Sequence, residues 1–209
     1  MSHIQRIISS ADVLRQVDEF LMNTSPVQQT LRNIVRRLSH KQIDYAIIGG
    51  MALALHGFIR PTQDVDLLLT REGLDKFHLE LVGRAYIPLF PRKHFRDAET
   101  GVKVEIITTG EYPGDGRPKA VAFPVPADVA IDLGEYRVVR LETLVELKLA
   151  SGLTAEHRTL RDLADVQQLI EMLNLPVELS ERLNESVRSE YLRLWQLAQK
   201  ARAEDSESE

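Results

Sequence analysis

The sequence predicts an α+β fold in which a mixed β-sheet is flanked by helices. Short apolar runs of strand length lie in the middle of the chain, and longer segments with apolar residues at helical spacing lie before and after them. Helical segments join some of these runs and tight turns join others, so both parallel and antiparallel neighbours are expected. With 209 residues the chain can build one good hydrophobic core, but not two large domains.

The composition limits the kind of protein. Its 44% hydrophobic and 27% charged residues are typical of a globular chain, and no apolar run approaches the roughly 18 residues of a membrane span. The chain has no cysteine, which excludes disulfides and zinc-thiolate sites, and its first residues lack the apolar core of a signal peptide. We therefore expect a cytoplasmic protein with no membrane partner. A net charge of -5 indicates that any contact with RNA is local.

Helical regions are predicted on both sides of the core. Residues 1–41 should form an N-terminal layer of two amphipathic helices, over Asp12–Met22 and Val27–Leu38, packed on the core. Residues 141–203 should form a C-terminal helical region, and the acidic residues 204–209 a disordered tail. The three C-terminal helices are expected at Leu141–Ser151, Leu160–Leu173 and Ser180–Ala203.

Residues 42–140 are predicted to form the core. The apolar run Ile43–Ile48 ends at Gly49-Gly50, which predicts a buried strand that turns tightly into a helix. The other expected core elements are a strand over Gln63–Leu69, a helix over Arg71–Arg84, a hairpin of His94–Ala98 with Val102–Ile107, and a hairpin of Val129–Asp132 with Tyr136–Val139.

Asp64 and Asp66 are the first candidate site residues. Side chains alternate along a strand, so the two carboxylates should project from one face while Val65 and Leu67 occupy the other. Carboxylates held side by side repel each other, whereas a hard divalent cation such as Mg²⁺ accepts oxygen ligands from both. The pattern is short, and a pair of surface aspartates at a strand edge is the alternative.

Gly49 and Gly50 add a second feature to this site. Paired glycines let the backbone come close to a phosphate, and the helix that follows them favours an anion at its N-terminus. A phosphate cradle and a metal-binding carboxylate pair are the two halves needed to hold a magnesium–nucleoside triphosphate.

The order Gly-Gly followed by Arg-Pro-Thr-Gln-Asp-Val-Asp, within Ile47–Leu69, resembles the GG…RxTxDxD signature of the polymerase-beta-like nucleotidyltransferase superfamily. Its nearest resemblance is to the bacterial group that includes AbiEii-type toxins. The resemblance implies the nucleotidyltransferase fold and a reaction that moves a nucleoside monophosphate from a triphosphate such as ATP to a hydroxyl, with release of pyrophosphate. It also implies Mg²⁺, or Mn²⁺ in its place, and an acceptor that is RNA, protein or a small molecule.

Glu105 is the third carboxylate that the resemblance implies, as a ligand of a second metal ion or a helper in deprotonating the attacking hydroxyl. Strand alternation places Glu105 and Lys103 on one face and Val104 on the other. Aspartate is more usual at this place in the superfamily, and a plain strand glutamate is the alternative.

Lys148, Asp162 and Asp165 match the K…RDxxD helices downstream in the AbiEii-like group. The resemblance implies that Lys148 supplies positive charge to the triphosphate and that one of the aspartates orients the lysine or a substrate group. The alternative is a surface lysine with aspartates in the first turn of a helix.

Arg60 and Thr62 precede the aspartates and are candidates either to bond a phosphate or to brace the carboxylate strand. Met51 departs from the pattern, because many nucleotidyltransferases have Ser or Thr after the paired glycines. Met51 and Glu105 therefore support a second hypothesis: a catalytically weak member that binds a nucleotide or a partner protein, such as the cognate toxin or antitoxin of a toxin–antitoxin pair.

Overall fold

The computed structural model describes residues 25–90 and 93–207, so the helix expected at Asp12–Met22 lies outside the described residues. In chain order the elements are α1 (Pro26–His40), β1 (Tyr45–Ile48), α2 (Gly49–Leu55), β2 (Asp64–Leu69), α3 (Arg71–Leu81), β3 (Tyr86–Leu89), β4 (His94–Asp97), β5 (Lys103–Thr108), α4 (Pro126–Val129), β6 (Ala130–Leu133), β7 (Tyr136–Val139), α5 (Leu141–Thr154), α6 (Glu156–Leu173), α7 (Leu179–Arg182) and α8 (Glu185–Glu207).

The strands form one mixed sheet. In the described part of the chain it has seven strands, in the order β3-β4-β5-β2-β1-β7-β6. β2 is parallel to β5 and β1 is parallel to β7, whereas the other neighbours are antiparallel. The predicted α+β class with a mixed sheet is confirmed. Both predicted hairpins form, as β4 with β5 and β6 with β7.

β2 lies at the centre of the sheet, between β1 and β5. Its apolar side chains Val65, Leu67 and Leu69 are fully buried, and together with α1 and α3 they build the core on one side of the sheet. Burial of this set fixes the register of the strand, because a slip of one residue would move every apolar side chain to the other face. The sheet centre is therefore a rigid base for the side chains on its other face.

The helix before the sheet packs on β2, and the C-terminal helices pack on one another. α1 begins at a Ser25 cap, whose hydroxyl accepts a hydrogen bond from the Gln28 amide at 3.3 Å, and it buries Leu31, Ile34 and Leu38. α5, α6 and α8 contact each other to form the C-terminal bundle. In residues 25–90 and 93–207, no helix combines the length and hydropathy that a membrane span needs.

The structure differs from the prediction between α3 and β4 and at the start of β6. The helix predicted over Arg71–Arg84 ends at Leu81, and an edge strand that was not predicted, β3, follows at Tyr86–Leu89. β3 contains Pro88, which a sheet tolerates at its edge, and a proline in a short run argues against a strand from sequence alone. Val129 belongs to the short helix α4 rather than to the predicted strand, which begins at Ala130.

The last predicted helix was wrong as one continuous element. The segment Ser180–Ala203 is interrupted between α7 and α8 at Leu183 and Asn184. The Asn184 side chain accepts hydrogen bonds from the Ser186 amide and hydroxyl, as a cap of the next helix does. α8 then continues to Glu207, so the boundary predicted at residue 203 lies too early.

Candidate metal centre

Asp66 lies on the central strand β2, between β1 and β5. Its neighbours across the sheet are Ile48, the last residue of β1, and Glu105 of β5. Asp64 lies on the same face two residues earlier, and both aspartates are partly exposed while Val65 between them is buried. The alternation predicted from the sequence therefore places two carboxylates of β2 and one of β5 on one face of the sheet.

The three carboxylates converge. One oxygen from each of Asp64, Asp66 and Glu105 can be chosen so that all three lie within 4.8 Å of one another. The hydroxyl of Thr62 donates a hydrogen bond to Oδ1 of Asp64 at 3.2 Å, which fixes the orientation of that carboxylate. Thr62 therefore contacts the first aspartate directly, while its two predicted roles, to brace the carboxylate strand or to bond a phosphate, stay predictions.

The paired glycines form the wall beside this cluster. Gly49 has a φ of +64°, which favours glycine, and a Cβ at this position would overlap Oδ2 of Asp66. A Cβ on Gly50 would lie 2.6 Å from the Thr62 hydroxyl oxygen. The backbone of both glycines consequently lies directly against the carboxylate cluster and Thr62, where a larger residue would displace them.

The pKa values of Asp66 and Glu105 are shifted in opposite directions. Burial, and then the charges of Asp64 and Glu105, raise the pKa of Asp66 from 3.8 to about 7. Burial also acts to raise the pKa of Glu105, but Lys103 and His94 outweigh it and lower that pKa below its usual range. Glu105 is therefore ionised at neutral pH, whereas the Asp66 carboxyl is about half protonated near pH 7.

Two cationic or polar nitrogens contact Glu105. Lys103 Nζ lies 2.8 Å from Oε2 and His94 Nε2 lies 3.4 Å from Oε1. Lys103 reaches it along β5 and His94 from the opposed position of β4. Strand alternation already placed Lys103 beside Glu105, but the contact with His94 depends on the register of the hairpin, which the sequence did not fix.

The donor set fits a hard divalent cation. Three carboxylates supply oxygen ligands, and the raised pKa of Asp66 reflects a local excess of negative charge that such an ion would relieve. Asp64 and Asp66, with Glu105 beside them, are the residues that would hold Mg²⁺ or Mn²⁺. Oxygen donors of this kind suit both ions.

Lys148, Asp162 and Asp165 form a second, buried cluster. Lys148 Nζ lies 3.0 Å from Oδ1 of Asp162 and 2.6 Å from Oδ2 of Asp165, and its side chain is only 9% exposed. Arg60 joins the cluster through an ion pair of 2.8 Å with Asp165, and the Ser151 hydroxyl donates to Asp162 at 2.6 Å. Burial acts to raise the pKa of Asp162, but Lys148 and Ser151 hold it below its usual range.

This buried cluster links the segment that precedes β2 to the C-terminal helices. Arg60 lies just before β2, Lys148 in α5, and both aspartates in α6. The charge of Lys148 also acts to lower the pKa of Asp66, so the two clusters lie within electrostatic reach of each other. Ser151 was not predicted as a member. Its spacing of three residues from Lys148, which puts both on one face of α5, is the signal that would have found it.

The first apolar side chain after the paired glycines, that of Met51 in α2, lies in the hydrophobic core. Met51 is 3% exposed. His56, further along this segment, contacts the carbonyl oxygen of Val139 through Nε2 at 2.8 Å, which is a structural contact. The residue type at position 51 is therefore set by packing.

An open cleft adjoins Glu105. It has a volume of about 550 Å³, and its apolar lining comes from Phe90, Ile106 and Ile107. His94 and Glu105 line it on the side of the carboxylates, and Phe90 is 94% exposed. A substrate group in this cleft would lie next to the third carboxylate.

No protein-family model matches the chain, and no curated protein matches it either. Solved structures with a similar fold include a candidate nucleotidyltransferase from Thermotoga maritima, at 21% identity and a TM-score of 0.47, which covers 66% of this chain and 91% of that one. An antigenic nucleotidyltransferase-like protein from Paracoccidioides brasiliensis has 15% identity and a TM-score of 0.47, covering 87% of this chain and 91% of that one.

A candidate nucleotidyltransferase from H. pylori is similar at 17% identity and a TM-score of 0.46, covering 87% of this chain and 96% of that one. Likenesses at this level of identity and superposition do not carry a function from one chain to another. None of these three is described as an AbiEii-type toxin, so the narrower resemblance stays a prediction.

The raised pKa of Asp66 predicts a pH-dependent penalty on stability. Between about pH 4 and pH 7 the folded chain binds this proton more tightly than the unfolded chain, so the penalty grows as the pH rises. Asp66→Asn removes the ionisation and should be more stable than the wild type at pH 8 by about 1–2 kcal/mol, with little difference near pH 4. Chemical denaturation in chelator measures this. A difference that does not change with pH would contradict the assignment.

Gly49→Ala should weaken divalent-ion binding by about 10- to 100-fold, because the added methyl group displaces the Asp66 carboxylate. Gly101→Ala is the matched control: its φ of +75° is equally unfavourable for alanine, but no described atom lies within 4 Å of the new Cβ. Both variants should lose about 1–2 kcal/mol of stability. Calorimetric titration with Mn²⁺ should separate them, and equal affinities would refute the role of Gly49.

Lys148→Met should lower the free energy of unfolding by about 3–5 kcal/mol, because it leaves two buried aspartates without their shared cation. Lys41→Met is the control. Lys41 forms an ion pair of the same 2.6 Å length with Glu80, but both side chains are about a third exposed, so the loss should stay below about 1 kcal/mol. Urea denaturation measures both, and similar losses would mean that the Lys148 cluster is not structural.

Proposed function

We propose that the protein is a Mg²⁺-dependent nucleotidyltransferase, which moves a nucleoside monophosphate from a nucleoside triphosphate to a hydroxyl and releases pyrophosphate. The observation that carries this proposal is the convergence of Asp64, Asp66 and Glu105 beside a glycine turn whose backbone touches the cluster. A metal-binding carboxylate set and a closely approaching backbone together provide for the metal and the phosphates.

Different residues of the chain have different roles in this proposed reaction. Asp64 and Asp66 bind the divalent ion, which when bound polarises the α-phosphate and balances charge on the leaving pyrophosphate. Gly49 and Gly50 keep the main chain against Asp66 and Thr62, so phosphates bound to the ion would lie close to the backbone of this turn. Glu105, ionised at neutral pH, accepts a hydrogen bond from the acceptor hydroxyl and takes its proton as the oxygen bonds to the α-phosphorus and the bond to pyrophosphate breaks.

The remaining predicted residues act as positioning residues in this proposal. Thr62 orients Asp64 through its hydroxyl, and Arg60 holds the segment before β2 against Asp165. Lys148 is neutralised by its two aspartates, so its effect on a triphosphate would come from its reach toward Asp66 and not from direct phosphate binding. Charges fixed in this way remain in place throughout a reaction.

A second candidate function is binding without efficient transfer, as a component of a toxin–antitoxin pair or another partner complex. The observation that favours it is the state of Glu105, whose two oxygens both have nitrogen partners and are less available to a metal or a hydroxyl. A chain of this kind would bind a nucleotide with a divalent ion but would label no acceptor.

Labelling distinguishes the two candidates. The full chain is incubated with each α-labelled triphosphate, including ATP, with Mg²⁺ and either total tRNA or a cell lysate. Label that appears on RNA, on protein or on a small molecule identifies the acceptor class. Binding of a triphosphate without any labelled acceptor would favour the second candidate.

Asp64→Asn and Asp66→Asn should each lower transfer by at least about 10³-fold, because each removes a ligand of the ion that stabilises charge in the transition state. Both variants should stay folded, since neither side chain belongs to the hydrophobic core. Asp75→Asn, at an exposed position of α3, is the control and should transfer normally. Near-normal transfer by either site variant would remove the carboxylate pair from the mechanism.

A further inference from the structure

Lys103 lies on the same face of the sheet as the three carboxylates and contacts one of them. It is the first residue of β5 and is paired in register with Asp64 of β2. Its ammonium lies 2.8 Å from Oε2 of Glu105, two residues further along the same strand. Matched positions of neighbouring strands lie about 5 Å apart, so the lysine lies beside the first carboxylate of the cluster and in contact with the third.

Glu105 is already satisfied by this contact and by a second one. Lys103 takes Oε2, and His94 approaches Oε1 at 3.4 Å. A carboxylate oxygen that already pairs with a cationic nitrogen is less available as the ligand of a second metal ion. Asp64, whose Oδ1 accepts only the neutral Thr62 hydroxyl among its described contacts, and Asp66 are not balanced by a cation in this way.

The balance of charge points in the same direction. When a bound metal ion keeps all three carboxylates ionised, they carry a charge of about -3, and the ammonium of Lys103 reduces it to about -2, which one divalent ion neutralises. A second divalent ion would leave the cluster with a net positive charge, next to an ammonium that repels it. The Lys103 charge also acts to lower the pKa of Asp66, which agrees with its place within the cluster.

We propose that the ammonium of Lys103 occupies the place of a second cation, so that the nucleotide-free centre binds one divalent ion through Asp64 and Asp66. This inference rests on the proposed function, because it assumes that the carboxylates bind a divalent ion at all. Lys103 is then a built-in counter-ion, and Glu105 acts on the acceptor side of the centre and is not the ligand of a second ion.

The test is the number of Mn²⁺ ions bound per chain, measured by calorimetry and by the electron paramagnetic resonance of free Mn²⁺ on the full, metal-stripped protein without nucleotide. The wild type should bind one equivalent at the centre. Lys103→Met, which keeps the length of the side chain but removes its charge, should bind two. Lys103→Arg keeps the charge and should bind one, which separates charge from packing.

Lys93→Met is the matched control. Lys93 lines the adjoining cleft but forms its ion pair with Glu111, outside the cluster, so this variant should bind one equivalent like the wild type. Asp64→Asn in the same series should abolish binding at the centre, which identifies the counted ion as the one held there.

The outcomes separate this inference from the proposed function. Two equivalents in the wild type, or one in Lys103→Met, would overturn the role of Lys103 and leave the metal-dependent reaction standing. Absence of any Mn²⁺ whose binding depends on Asp64 would overturn the metal centre, and with it both the proposed function and this inference. One equivalent in the wild type with two in Lys103→Met supports it.

Discussion

The mutual repulsion of three carboxylates at the centre of the sheet is the constraint on which the rest of the structure depends. Asp66 is held between the end of β1 and Glu105, where burial and like charge raise its pKa to about 7. Such a site persists only if the surrounding structure holds it in place. The fully buried side chains Val65 and Leu67 do this, because they fix β2 in a register that keeps both aspartates on the opposite face.

The protein balances this negative charge with two groups of cations that differ in burial. Lys103 is partly exposed and contacts a carboxylate of the cluster itself, so water and metal ions can compete with it. Lys148 is nearly buried and is shared by two further aspartates, so it acts on the cluster only from a distance. The first arrangement suits a charge that takes part in ion binding. The second suits a fixed link between α5 and α6.

Local patterns predicted what depends on neighbours in sequence, and failed where distant contacts decide. Alternation along β2 correctly placed Asp64 and Asp66 on one face, because the period of a strand is a local property. That Glu105 faces Asp66 depends on the register of β5, which only the family resemblance suggested. That Lys148 pairs with both aspartates depends on how α5 packs on α6, because they lie 14 and 17 residues away, and only the family resemblance linked one of them to the lysine. Within the described chain, β3 was missed because Pro88 is tolerated only at an edge whose position no local signal reveals.

The case for a catalytically weak protein rested on two residues, and the structure separates them. Met51 lacks a hydroxyl, but its side chain lies in the hydrophobic core, so any residue there would have to satisfy packing before it could reach a phosphate. Phosphate contacts at this turn would come from the backbone, which Gly49 already brings against Asp66. The hypothesis of a catalytically weak protein therefore depends on Glu105. Its contacts with Lys103 and His94 are also those on which the proposed number of bound ions rests. In the proposed reaction, catalytic strength and the number of bound ions therefore depend on the same thing: whether Glu105 leaves its ion pair when substrate binds.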